Sequence, residues 1–203
     1  MKSILLHKNP TLFSAYFAEA FSINYIIDST SPCINSGIID ITGLFLPDYD
    51  IAGNLRIDPT SNTIDMGAYE YLNFPQSMQV SGIVSEDTFW GSDTIKVVGN
   101  ITIPDSVSLT IFSGVQVLFL DDYLIDVYGN LNAFGCEINP IIFQPEVDSI
   151  GWNGIRFNDS ENNESTLTYC NFMYGKADQS GNYSSGGAIY IDSYKNLTIK
   201  SCR

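Results

Sequence analysis

Between Ile101 and Phe143, short apolar pairs separated by a single polar residue return at a nearly constant interval. Leu109 and Ile111 are followed 22 residues later by Leu131 and Ala133, Ile101 and Ile103 return after 24 as Ile125 and Val127, and Phe119 returns after 24 as Phe143. The interval of 22 comes back in Leu167 and Tyr169, followed by Ile189 and Ile191. Strands this short cannot bury an apolar face alone, so each repeat must stack on the next. The pattern predicts an all-β chain wound as a parallel β-solenoid.

Alternation within the repeats sets the direction of each side chain. In Ile101-Thr-Ile103, Val115-Gln-Val117 and Ile125-Asp-Val127, the apolar residues face inward and the polar ones outward. Pro104-Asp105, Phe112-Ser-Gly114, Gly129-Asn130 and Phe134-Gly135 fall between the strands, where bends need a fixed or positive φ. Parallel strands joined by crossovers prefer the right hand, so a right-handed coil is expected. Residues 144–151 and 174–186 exceed the basic period and are expected to project as loops.

The first third of the chain has a different texture. Residues 1–74 carry turn chemistry without a repeat, in Ser31-Pro-Cys-Ile-Asn-Ser-Gly37, Leu46-Pro-Asp-Tyr-Asp50 and Ala52-Gly-Asn54. Residues 12–21 hold enough helix formers for one or two helical turns, although their apolar positions are too dense for a clean amphipathic stripe. Residues 75–80 read as a linker, and 81–203 as the periodic piece.

Three motifs of the first piece carry a resemblance. Ser31-Pro-Cys-Ile-Asn-Ser-Gly37, Asp50-Ile-Ala-Gly-Asn-Leu-Arg56 and Ile64-Asp-Met-Gly-Ala-Tyr-Glu-Tyr71 resemble, in order and spacing, the closing segment of secreted bacterial right-handed parallel β-helix repeat proteins of the Bacteroidetes-like surface type. The second piece resembles the opening coils of another such helix, through Val98-Gly-Asn-Ile-Thr-Ile103, Leu109-Thr-Ile-Phe-Ser-Gly-Val-Gln-Val117, Val127-Tyr-Gly-Asn-Leu-Asn-Ala133, Gly151-Trp-Asn-Gly-Ile-Arg-Phe157 and Gly186-Gly-Ala-Ile-Tyr190. The resemblance implies a right-handed parallel β-helix preceded by the loop-rich closing segment of an upstream one, at the outer cell surface or outside the cell. It covers most of the chain and carries no catalytic signature.

Composition narrows the partners. Nine Lys and Arg stand against 23 Asp and Glu, a net charge of −14, which leaves nothing to form the basic patch that nucleic acid or an anionic membrane surface requires. No apolar run has the length of a membrane span, and the apolar opening is cut short by His7, Lys8, Asn9 and Pro10 before it can act as a signal peptide. Met1 is read as an internal start or fragment edge, and the natural protein is expected to be longer. Cys33, Cys136, Cys170 and Cys202 are too dispersed for a zinc site and His7 has no partner, so the cysteines are read as small buried hydrophobes. Cys170 and Cys202 follow similar strands and so take related places in neighbouring turns.

Three chemistries are weighed. Asp48, Asp50 and Asn54 offer oxygen ligands that Ca2+ can use, against the simpler reading that they cap turns and that Asp50 or Asp65 pairs with Arg56. Tyr174 and Tyr183 in the projecting segment, with Trp152, offer flat faces for sugar rings, although the Gly-Trp-Asn-Gly context also suits Trp152 to the solenoid wall. A polysaccharide lyase needs a base and a way to neutralise a uronate, and a glycoside hydrolase needs two facing carboxylates. Asp121, Asp122 and Asp126 are the nearest cluster, and two of them sit in a turn. The expected function is a non-catalytic scaffold or adhesive module that contacts polysaccharide or other surface proteins, with an enzyme of β-helix fold as the alternative.

Overall fold

A computed structural model describes residues 27–38, 42–43, 45–58, 61–177 and 186–203. The helical turns expected at 12–21, the histidine His7 and Tyr183 lie outside the described residues. The chain divides into two compact units, Met1–Asn73 and Phe74–Arg203. Among the described residues there is no helix.

The described part of the first unit is built from turns tied by carboxylates. Asp65 accepts the Asn35 N–H at 2.6 Å and the Tyr71 N–H at 2.5 Å, and its own N–H donates to Glu70 Oε2 at 2.8 Å. Asp50 accepts from Ala52 N and Asn54 N, both at 2.8 Å, and from Glu70 N at 2.7 Å. The segments around 31–37, 50–56 and 64–71 are thereby knitted together through side chain to backbone bonds, the mode by which Asx turns replace regular ladders. Gly37 is required at the seam, because a Cβ there would lie 2.4 Å from the Ile64 side chain and 2.8 Å from its carbonyl.

The second unit holds eleven strands: β1 (Ser77–Ile83), β2 (Thr88–Trp90), β3 (Thr94–Ile103), β4 (Ser108–Ile111), β5 (Gln116–Phe119), β6 (Ile125–Val127), β7 (Asn130–Phe134), β8 (Ile141–Pro145), β9 (Ile155–Thr168), β10 (Cys170–Phe172) and β11 (Ile189–Lys200). Every pairing between them is parallel. Residues 77–80 of the expected linker belong to β1, which pairs with β3.

The pairings fall into three columns. The first joins the start of β1, the start of β3, β5, β8 and β10. The second joins the end of β1, the end of β3, β6, and the starts of β9 and β11. The third joins β2, β4, β7 and the ends of β9 and β11. Along the chain the columns are visited in the order first, second, third, and again first.

Inward positions form ladders of fully buried residues, among them Ile101, Ile125 and Ile155 in the second column and Ile111, Ala133 and Leu167 in the third. Burial of these ladders is the main favourable term for such short strands. Ser165 interrupts the third column, and its hydroxyl is bonded to the Leu131 N–H at 2.8 Å and to Tyr194 Oη at 2.7 Å. Tyr194 Oη in turn donates to the Gly129 carbonyl at 2.7 Å, so a buried polar chain runs through three successive strand levels with its partners satisfied.

The registers sort the expected repeats. Ile101 and Ile103 do stand opposite Ile125 and Val127, and Leu109 and Ile111 opposite Leu131 and Ala133. Phe143, however, stands opposite Val117, and Phe119 opposite Pro145, because the excursion closed by the Cys136–Asn139 bridge lengthens that repeat to 26 residues. The later repeat was misassigned. Leu167 is opposite Ile199 and Ile189 is opposite Ile155, so Leu167 and Ile189 belong to different columns and the repeat there is 32 to 34 residues. A 14-residue β9 and the long segment between β10 and β11 supply the extra length.

Candidate functional site

Trp152 and Tyr174 take opposite roles at one corner of the second unit. Trp152 is 0% exposed, stacked on Phe119 with ring centroids 4.2 Å apart and 15° between planes, and with Phe143 at 6.1 Å. Its indole N–H donates to the Met173 carbonyl at 2.8 Å, and its own carbonyl accepts the Lys176 N–H at 2.9 Å. With its faces in the core, Trp152 cannot offer a platform to a sugar, and that expectation is corrected. It instead pins the segment that carries Tyr174, which is 54% exposed with φ of 57°.

The surroundings of Tyr174 are equally constrained. Gly151 has φ of 75°, and a Cβ there would lie 2.9 Å from the Tyr174 carbonyl, so the 147–151 and 173–176 segments pass each other too closely for a side chain. Lys176 Nζ meets Asp122 Oδ1 at 2.5 Å on the open surface. Val147, Ile150 and Met173 add exposed apolar area on the same two segments. An exposed ring on a rigid base, bordered by a charged pair and some apolar surface, is an arrangement that can stack on a flat apolar face.

The outward faces of the columns differ. In the third, the outward row Thr110, Asn132, Thr166 and Thr198 is uncharged, flanked by Ser108, Asn130 and Thr168. In the second, Thr102, Asp126, Arg156 and Tyr190 stand in register. Asn158 donates to Asp126 Oδ1 at 3.2 Å, and the Arg156 guanidinium lies 5.3 Å from the Tyr190 ring centroid. Burial pushes the Asp126 carboxyl up, opposed by the Asn158 hydrogen bond and the Arg156 charge. Sequence reading grouped Asp126 with Asp121 and Asp122; the structure gives Asp126 to Asn158 and Arg156 and gives Asp122 to Lys176. Only the repeat period carries the signal for this row, and it fails where β9 lengthens.

In the first unit, the oxygens of Asp50 are occupied by the backbone N–H groups of Ala52, Asn54 and Glu70 and by Asn54 Nδ2 at 3.2 Å. Asn54 therefore serves Asp50 as a donor. Asp48 accepts the Arg56 N–H through its carbonyl and lines a recess of about 440 Å³ with Tyr49, Leu55 and Arg56. Turn capping by Asp50 is thus observed, and no group of three or more His, Cys, Asp or Glu poised for a metal occurs among the described residues. The expected partner of Arg56 is corrected. Its guanidinium meets neither Asp50 nor Asp65 but Glu70 Oε1 at 2.9 Å, and also donates to the Gly67 carbonyl at 2.6 Å. Glu70 is buried, and desolvation raises its carboxyl to about 7 in spite of the Asp65 N–H and Arg56.

No protein-family model, curated protein or solved structure matches this chain. Among the described residues no helix is long and apolar enough to cross a membrane.

Proposed function

We propose that this chain is a non-catalytic β-helix module of an extracellular or cell-surface protein, a rigid scaffold that contacts polysaccharide or other surface proteins through its projecting segments. The cyclic visiting of three parallel columns supports a wound coil, since a chain that returns to each column one level further on traces a helix of strands. Crossover handedness makes that coil right-handed. The observation that carries the functional reading is the uncharged outward row of the third column beside a pinned, exposed Tyr174, a surface built for contact without general acid or base groups. The net charge of −14 makes Ca2+ the natural bridge to an acidic glycan.

A carbohydrate-active enzyme is the second reading, favoured by one observation, the Asp126, Arg156 and Asn158 group on the second column. Arg156 is only 2% exposed, which suits a structural partner of Asp126 better than a group meeting substrate. A glycan array with calcium and EDTA arms, run beside an absorbance assay for uronate elimination, separates the readings. Retention of glycan that weakens in Tyr174→Ala, without elimination product, is the expected result. Elimination product lost in Asp126→Asn would replace the scaffold by the lyase, and no retention in any arm would remove the glycan contact.

A further inference from the structure

We infer that Cys170 and Cys202 are the two halves of a structural disulfide that joins successive levels of the second unit. The backbone places them opposite each other. Arg203 N donates to the Cys170 carbonyl at 2.9 Å and Phe172 N donates to the Arg203 carbonyl at 2.8 Å, the parallel pattern that sets Arg203 opposite Asn171 and, one residue earlier, Cys202 opposite Cys170. Neighbouring parallel strands lie about 4.8 Å apart, inside the range of Cα separations that a disulfide spans.

The two residues also leave their strands in the same way. Each follows a non-glycine corner in the left-handed region, Tyr169 with φ of 48° and Ser201 with φ of 54°. Each thiol points to the carbonyl two residues before it, Cys170 to Thr168 and Cys202 to Lys200, both at 3.4 Å. The Cys170 N–H donates to Cys202 Sγ at 3.4 Å, which puts one sulfur directly over the other residue's backbone. Burial pushes the Cys170 thiol up, and the Cys202 sulfur adds to that effect, so the two sulfurs are close enough to sense each other. Cys136 is not a competitor, since its excursion carries Sγ to Ser113 Oγ at 3.5 Å. All four cysteines are free thiols in the structure.

Access is available to one sulfur only. Cys202 lines an open recess of about 350 Å³ with Glu137, Tyr169, Asn171 and Arg203, whereas Cys170 is fully buried. The order of events follows. The Cys202 thiolate attacks a small disulfide donor such as oxidised glutathione, forming a mixed disulfide and releasing one thiolate. Cys170 then loses its proton to water and attacks Cys202 Sγ, releasing the second donor thiolate. Both cysteine sulfurs are oxidised, both donor sulfurs are reduced, and two protons pass to the released thiolates. The proposal goes beyond the scaffold reading and needs it only to supply an oxidising surrounding.

The test uses the whole chain carrying Cys33→Ser and Cys136→Ser, so that Cys170 and Cys202 are the remaining thiols. After native incubation with oxidised glutathione, thiol titration in denaturant should fall to none. A non-reducing peptide map should join the Cys170 and Cys202 peptides within one chain, and the oxidised chain should unfold at higher urea than the reduced one. Adding Cys202→Ser should leave Cys170 titratable and unglutathionylated. Persistence of both thiols in the native chain while the urea-unfolded chain oxidises would overturn the inference. So would an unresolved glutathione adduct on Cys202, or an intermolecular product. None of these outcomes bears on glycan retention, so the two proposals fail separately.

Discussion

Replacing Trp152 separates the two tasks assigned to it, packing against Phe119 and holding the Tyr174 segment. A fully buried Trp removes about 200 Å² from water, which at about 25 cal/mol per Å² amounts to about 5 kcal/mol, and the stacked geometry on Phe119 puts Trp152→Ala at about 3–5 kcal/mol of lost stability. Trp152→Phe retains a ring for Phe119 but removes the N–H that serves the Met173 carbonyl. Because Met173 is part-exposed, water can recover some of that bond, and the loss should be about 1–2 kcal/mol. Equilibrium urea unfolding followed by far-ultraviolet circular dichroism measures both, since fluorescence would lose one of the two tryptophans. Amide hydrogen exchange at Lys176, whose N–H is held by the Trp152 carbonyl, reports the segment itself and should speed up in the alanine variant. Equal losses for Phe and Ala would refute the stacking, and an unchanged Lys176 exchange rate in Trp152→Ala would refute the claim that this residue positions Tyr174.

Three further outcomes are expected. Ser165→Ala and Tyr194→Phe should each lose about 1–3 kcal/mol, and the double variant should lose less than their sum by about 1 kcal/mol, because each leaves the same buried chain of hydroxyls unfinished. Glu70 has a folded carboxyl raised to about 7 from 4.5, so the stability it favours is full below pH 4.5 and is lost as pH rises through 7, by about 3 kcal/mol. Urea midpoints of the whole chain from pH 4 to pH 8 should show that fall, and Glu70→Gln should flatten it whatever its effect on absolute stability. Gly129→Ala would put a Cβ 2.2 Å from the Pro104 carbonyl oxygen and 2.3 Å from that of Val107, and the backbone shift it forces should cost about 1–3 kcal/mol in the same assay.

How far the amino-acid pattern reached depended on loop length. Between Ile101 and Ala133 the repeats are uninterrupted, so counting 22 or 24 residues lands on true register partners. Beyond Phe134 the chain leaves the wall at Cys136–Asn139, after Pro145 and after Phe172, and a fixed count then links positions of different columns, as with Leu167 and Ile189. Inward alternation survives such insertions because it is local, which is why the buried strand positions were legible even where their partners were not. Trp152 was ambiguous for a related reason. A Trp between glycines can face either way, and only the approach of the Phe119 ring and the Met173 carbonyl decides. The Arg56 partner was hidden because Glu70 is brought in by turns that Asp50 and Asp65 tie, and no spacing rule describes such a knot.

Ser165, Tyr194 and Gly129 have a consequence for how strands find their level. Apolar rungs are nearly interchangeable: an isoleucine slipped by one level still meets a valine or a leucine, so a hydrocarbon interior alone tolerates misthreading. A hydroxyl in that interior has one acceptable address. A strand threaded one level out of place would strand the phenol of Tyr194 and the hydroxyl of Ser165 among carbon atoms, at a penalty of about 1–3 kcal/mol for each orphaned group. These atoms thus act as an indexing pin, a proofreading mark inside an otherwise repetitive stack.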